Sequence, residues 1–268
     1  MLLRILTYNI LRGGVGRESQ LAAVITEQSP HIAVLQEATR PDVVARLASA
    51  TGMTTHGAAR GRSLAFLSRI PIAQHRWVRP LFSQHAFLEI VPEGLDVRLF
   101  GVHLSAVHAA WTERRRVREL RLLLAAIKSH DQSHHVLLGD FNTLAPDERF
   151  DASKLPRRLR VLVWLSGGRI RWQTVAIVLG AGYVDGFRML HASDPGLTFP
   201  TWDPHVRLDY LFLPKPFADR LTSCAVVKDG ELVRAASDHF PVSAEMTVDD
   251  GVSDPNQNPP TIVADQGP

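Results

Sequence analysis

The sequence predicts a mixed α/β fold in which β-sheets are covered by helices. Nine short apolar runs, bounded by turn residues, read as strands. Three longer segments repeat their apolar residues at helical spacing. A Pro92-Glu93-Gly94 turn between adjacent runs marks a hairpin, so the strands are not all parallel.

The elements follow in chain order. Leu3–Tyr8 is the first strand, then a helix over Ser19–Gln28 and a strand at Ile32–Gln36. A second helix covers Pro41–Ala50, and a strand follows at Leu64–Leu67. Ala86–Val91 and Val97–Val102 flank the hairpin turn. The third helix, Thr112–Ser129, puts Val117, Leu120, Leu124 and Ile127 on one face, with Arg114, Arg115, Arg118 and Arg121 elsewhere. Strands close the chain at Val136–Leu138, Leu208–Leu213, Cys224–Val227 and Val242–Thr247. Several runs are apolar throughout, as in strands buried on both faces.

One catalytic domain is expected over residues 1–248. The chain has 268 residues, 45% of them hydrophobic, which suffices for a substantial core. Residues 149–173, RFDASKLPRRLRVLVWLSGGRIRWQ, stand apart as a basic, apolar insertion. Packing on the core is the favoured reading there, with contact to lipid or a phosphate backbone as the other. Residues 249–268 are rich in Pro, Asp and Asn and read as a disordered tail.

The formal charge is +3, and the basic residues are mostly Arg. That permits polyanionic partners without demanding them. Cys224 is the only cysteine, so no intramolecular disulfide can form. MLLRILTYNI lacks the layout of a signal peptide, and no apolar run reaches transmembrane length. A monomeric cytoplasmic protein is expected.

The polar residues sit where the strands end. Asn9 follows the first strand, and Gln36-Glu37 closes the second. His103 closes Val97–Val102, and Gly139-Asp140-Phe141-Asn142 follows Val136–Leu138. Arg207-Leu208-Asp209-Tyr210 opens one late strand, and Ser237-Asp238-His239 precedes another. Taken singly, each has a plain explanation as a turn residue, a cap or a core histidine. Six such sites together, all of metal-binding or proton-handling types, point to a site built at one end of packed sheets.

In this order and at these spacings, the six motifs resemble the signature of the endonuclease/exonuclease/phosphatase superfamily, from about residue 3 to residue 247. Gly182 to Arg188, Thr198-Phe199 and Trp202 are also similar to the stretch before that family's Arg-Leu-Asp-Tyr motif. The resemblance implies a DNase I-like four-layer αββα sandwich, two packed mixed sheets flanked by helices.

The residue types fit hydrolysis assisted by a hard metal ion. Glu37, Asp140, Asp209 and Asp238 are oxygen ligands or proton acceptors, and Asn9 and Asn142 are amides. Such oxygens suit Mg²⁺ or Mn²⁺. No covalent nucleophile with a paired base is evident, so the attacking group is expected to be water.

The resemblance implies the roles. Glu37 is the main metal ligand, with Asn9 and Asp238. Asp140 orients or deprotonates the water, and Asn142 holds a phosphate oxygen. His239, paired with Asp209, touches the scissile phosphate, and His103 assists there. Asp185, Arg188 and Tyr210 are supporting or structural.

The substrate is less sharply drawn. Leu11 and His103 depart from the pattern of the apurinic/apyrimidinic endonucleases, and the disulfides of secreted DNase I are absent. A metal-dependent nuclease is favoured, with a candidate substrate surface of Arg157, Arg158, Arg160, Trp164, Arg169, Arg171 and Trp172. The alternatives are a sphingomyelinase-like phosphodiesterase for lipids or small diesters, a phosphatase, and a catalytically silent binding module. The last is disfavoured because no site residue is missing.

Overall fold

A computed structural model describes residues 1–79, 85–106, 110–128, 134–146, 148 and 172–251. In sequence order the chain forms β1 (Leu2–Asn9), α1 (Glu18–Gln28), β2 (Ile32–Gln36), α2 (Pro41–Thr51), β3 (Thr55–Gly57), β4 (Leu64–Ser68), β5 (Ile72–Val78), β6 (Phe87–Pro92) and β7 (Arg98–His103). It continues with α3 (Ala110–Ile127), β8 (His135–Asp140), α4 (Thr174–Gly180), β9 (Tyr183–Asp185), α5 (Gly186–Leu190), β10 (Asp209–Pro214), β11 (Leu221–Val226), α6 (Glu231–Ala236) and β12 (Val242–Thr247).

Two six-stranded mixed sheets result. One has the order β11-β12-β1-β2-β4-β3, the other β5-β6-β7-β8-β10-β9. Each sheet contains a parallel pair, β1–β2 and β7–β8. A parallel return needs a crossover, and α1 and α3 supply it.

The apolar runs are buried on both faces, as their composition requires. Along β1, Leu3 and Ile5 point between the sheets toward Leu88, Leu99 and Leu138. Leu6 and Tyr8 point outward into a second core with Leu21, Val24, Val43, Leu47 and Val233 of the covering helices. The other sheet does the same, with Phe100, Val102, Leu137 and Phe212 against Leu120, Leu123, Val175 and Val178. The layers are therefore helix, sheet, sheet, helix, which is the expected fold class.

Several boundaries differ from the sequence reading. β3, β5 and β9 were not anticipated. β3 and β9 have three residues each, and β5 carries Gln74, His75 and Arg76 in its middle on a half-exposed edge. α4, α5 and α6 are five to seven residues long and show no full helical period. On α3, Leu123 is buried and Leu124 only half so, and Arg116 is fully buried in an ion pair with Glu113 at 3.0 Å. Asp249 and Gly251, assigned to the tail, bond to Asp96 and Gly94 at 3.1 and 2.9 Å. The rest of the tail and most of the 149–173 insertion lie outside the described residues.

One glycine is sterically required. Gly139 has φ +144°, and a Cβ there would sit 1.9 Å from the Val102 carbonyl oxygen on the neighbouring strand. Gly139→Ala should therefore push β8 off β7 and cost about 3 kcal/mol or more. Equilibrium urea unfolding measures this, and a loss below about 1 kcal/mol would show that the strands separate without penalty.

Candidate active site

Strand register sets the site. His103 pairs with Asp140 across β7–β8, and Asp140 pairs with Asp209 across β8–β10. The three lie in one row at the same end of their sheet. In the other sheet, Asn9 pairs with Gln36, which places Glu37 beside it. Ser237-Asp238-His239 leads into β12, and the Ser237 hydroxyl donates to the Asn9 carbonyl at 2.6 Å. All six motifs read from the sequence converge here.

The imidazole of His239 is clamped. Its Nδ1 lies 2.8 Å from Asp209 Oδ2, and its Nε2 lies 3.9 Å from Asp140 Oδ2. Burial works against the charged ring, yet the charges of Asp209, Asp140 and Asp238 together outweigh it and raise the pKa to about 10. Burial pushes the Asp140 carboxyl up to about 7, with Asp209 adding to the rise and His239 opposing it. The pair is thus an imidazolium held by a carboxylate, next to a carboxyl group poised to take or give a proton near neutrality.

Asp140 is held by amides. It accepts from the Asn142 backbone N–H at 2.8 Å, from Asn142 Nδ2 at 3.1 Å and from Asn9 Nδ2 at 3.0 Å. Asn142 was expected to hold a phosphate oxygen. Its side-chain nitrogen reaches both Leu104 O, at 3.0 Å, and Asp140 Oδ2. Both amide hydrogens have protein acceptors in this arrangement.

Asn9 was expected to support the metal. Its oxygen accepts the Leu11 N–H at 3.0 Å, which fixes the amide orientation. Its nitrogen then faces Glu37 Oε1 at 3.4 Å and Asp140.

The carboxylates on this side lack a cation. Glu37 accepts the Arg12 backbone N–H at 2.6 Å, and among the described residues no Lys, Arg or His side chain pairs with it. Its backbone is left-handed, φ 54°, held by bonds from Gly13 N and Thr39 N to its carbonyl at 2.9 and 2.8 Å. Burial raises the Asp238 carboxyl and the Glu37 charge adds to it, while the neighbouring His239 opposes the rise. Two mutually repelling carboxylates, with no Lys or Arg side chain paired to either among the described residues, fit a bound divalent cation. Asp140, Asp209 and His239 also bring ligand atoms within 4.8 Å of one another.

His103 is a neutral ring. Burial, with His85 and His239 nearby, lowers its pKa to about 3. Its buried Nδ1 has no hydrogen-bond partner among the described residues.

The supporting residues sit behind β10. Asp185 grips fully buried Arg207 through bonds of 3.0 and 2.6 Å. Arg207 lies over the Tyr210 ring, 4.4 Å from its centroid, and Tyr210 OH lies 3.1 Å from Thr143 O. Arg188 reaches the carbonyls of His191 and Ala192 at the end of α5.

Of the candidate substrate surface only Trp172 is described. It packs against Leu144, Val206 and Leu208, so its ring serves the core. Arg157, Arg158, Arg160, Trp164, Arg169 and Arg171 lie outside the described residues. A cavity of about 850 Å³ lies beyond Arg207, lined by Leu144, Glu148, Arg188 and His205 among others, and contains none of the clustered catalytic groups.

Other contributors left little trace in the sequence. The Arg17 guanidinium reaches the carbonyls of Ile10, Leu11 and Ala236, tying the Asn9 and Asp238 segments together. Thr198 Oγ1 accepts the backbone N–H of Leu208 at 3.0 Å and of Asp209 at 3.3 Å. Thr198 and Phe199, the latter with its ring 4.7 Å from that of His239, stood within a motif already singled out.

The comparisons with known proteins agree with this arrangement. No curated protein sequence matches the chain. Solved structures do. A 3' phosphatase of Neisseria bound to a product DNA hairpin aligns with TM-score 0.70 and 21% identity over 91% of this chain and 99% of that one. An AP endonuclease from Archaeoglobus fulgidus gives 0.67 and 19% over 91% and 99%. A humanized TDP2 of D. rerio gives 0.66 and 18% over 92% and 99%. At such identities the likeness is one of fold. The sequence itself matches the Endonuclease/Exonuclease/phosphatase family over residues 6–239. The chain therefore belongs to the endonuclease/exonuclease/phosphatase family.

Proposed function

We propose that the chain is a Mg²⁺- or Mn²⁺-dependent phosphodiesterase that cleaves nucleic acid by attack of water. The observation that carries this is the buried cluster in which His239 is clamped by Asp209 beside Asp140, next to the mutually repelling carboxylates Glu37 and Asp238. A phosphodiester oxyanion needs a cationic donor on one side and a base for water on the other, and the cluster offers both.

Glu37 and Asp238 would hold the metal, with Asn9 fixing Glu37 against Asp140. When bound, the ion draws charge from the phosphate and stabilises the leaving oxygen. Asp140, oriented by Asn9 and Asn142, takes the proton of the attacking water. His239 spends Nδ1 on Asp209 and turns Nε2 to a phosphate oxygen. His103, neutral and with Nδ1 uncommitted, donates to a second oxygen. Asp185, Arg207 and Tyr210 keep Asp209 in its row.

Nucleic acid is favoured over lipid on two grounds. The fold relatives include a phosphatase bound to a DNA hairpin and an AP endonuclease. The α3 face exposes Arg114, Arg118 and Arg121 on the helix that follows His103. No helix among the described residues is long and apolar enough to cross a membrane. A cytoplasmic setting goes with this reading, since the lone Cys224 calls for no oxidising compartment.

A panel of plasmid DNA, single-stranded DNA, RNA, sphingomyelin vesicles and a phosphomonoester, each with added Mg²⁺ or Mn²⁺, tests the proposal. Cleavage confined to vesicles or the monoester would sink the nuclease reading. Glu37→Gln should lower kcat by about 100-fold or more and raise the metal concentration needed for half-maximal rate, and chelation should abolish the wild-type activity. His239→Ala and Asp209→Asn should each lose about 10²–10⁴ in kcat while near-UV circular dichroism stays native. Either variant retaining most of its rate would remove the dyad from the mechanism. For nucleic acid, kcat/KM should fall about tenfold or more between 50 and 200 mM salt, whereas an apolar, lipid-type contact would leave a flat profile.

A further inference from the structure

Trp202 is the most exposed large apolar side chain among the described residues, at 72%. Single exposed apolar residues are ordinary on protein surfaces. Trp202 is set apart by its position. Its ring meets Phe199 edge-on, with centroids 6.4 Å apart and planes at 62°. Phe199 in turn lies 4.7 Å from His239. One aromatic ring therefore separates an open indole from the proposed phosphate-binding imidazole.

The turn that carries Trp202 is fixed. Thr201 N donates to Asp238 O at 2.9 Å, and Thr201 Oγ1 donates to Ser237 O at 2.9 Å. The Arg234 guanidinium holds the Thr201 carbonyl from the other side. Asp203 N closes the turn on Pro200 O at 3.2 Å, and His205 N bonds back to Phe199 O at 3.1 Å. The residue preceding the indole is thus bonded to the backbone that bears Asp238. Both faces of the problem are pre-arranged, an apolar ring in water and a rigid mount beside the chemistry.

The geometry points to a stacking platform: Trp202, backed by Phe199, receives the nucleobase next to the scissile phosphate. This deepens the nucleic-acid reading and rests on it. Base–aromatic stacking suits a single ring, because every base presents a π-face. Membrane insertion needs contiguous apolar area, and the residue after Trp202 is the exposed Asp203. A base stacked on an open indole must have a free face, so the substrate class is a single strand or a duplex end.

The test compares Trp202→Ala and Trp202→Phe with wild type on an end-labelled oligothymidylate and on an oligomer of the same length built from base-free sugar-phosphate units. The wild type should prefer the base-bearing strand by about tenfold or more in kcat/KM, expressed in KM. In Trp202→Ala that preference should collapse toward unity, and Trp202→Phe should restore part of it. Equal losses on both oligomers, or none on either, would overturn the platform. If the wild type cleaves neither oligomer, the nuclease reading is decided by the plasmid and RNA arms of the substrate panel. Fluorescence anisotropy of the same oligomers then decides on the platform: base-dependent binding weakened in Trp202→Ala upholds it, and absent or unaltered binding overturns it. Vesicle binding lost in Trp202→Ala without any oligomer effect would assign the indole to lipid and overturn the proposal as well.

Discussion

The amide of Asn9 is the joint between the two sheets at their functional end. Apolar packing between the sheets is strong but without direction, and it would tolerate small slips. A hydrogen bond from Asn9 on one sheet to Asp140 on the other, at 3.0 Å and fully buried, tolerates none. Asn9 is positioned by its own bond from Leu11 N, and its carbonyl is held by Ser237. Three separated parts of the chain thus meet on one residue. The placing of Glu37 relative to the His239–Asp209 dyad follows from it.

Burial makes this arrangement consequential. Asp140, Asp209 and His239 are all nearly inaccessible to water. In that setting each charge is felt strongly by its neighbours, and an unmatched one is costly. Burial is the main cause of the raised Asp140 pKa, whereas the His239 pKa is raised by its neighbouring carboxylates against the effect of burial. Every amide in the cluster is committed to a carboxylate or a backbone carbonyl, which leaves the ionisable groups as the ones free to change state.

The sequence made the site residues legible because each stands where an apolar run breaks. Val136–Leu138 ends at Gly139, and a carboxylate after a buried strand is conspicuous. Ile32–Gln36 was bounded correctly because a strand buried on both faces reads as a plain apolar run, and Val242–Thr247 because its buried and less buried residues alternate. β5 escaped because an edge strand may be polar, and β9 because three residues carry no period. What side chains do to one another was not legible. Asn9 and Asn142 look like ligands in sequence, and only the bonds to Leu11 and Leu104 show how their amides are turned. Arg17 and Arg116 carried no signal in the sequence, because their partners are carbonyls and a carboxylate that the fold, not the local pattern, supplies.

The order of strands has a consequence for synthesis. β1 lies between β2 and β12, so the first strand made pairs on one side with the last. Until residues 242–247 arrive, that edge of β1 has no partner, and contacts so distant in sequence form late and slowly. Asp238 and His239 emerge just before that strand. Asp238 and His239 therefore join Asn9, Glu37 and Asp140 only as the sheet closes.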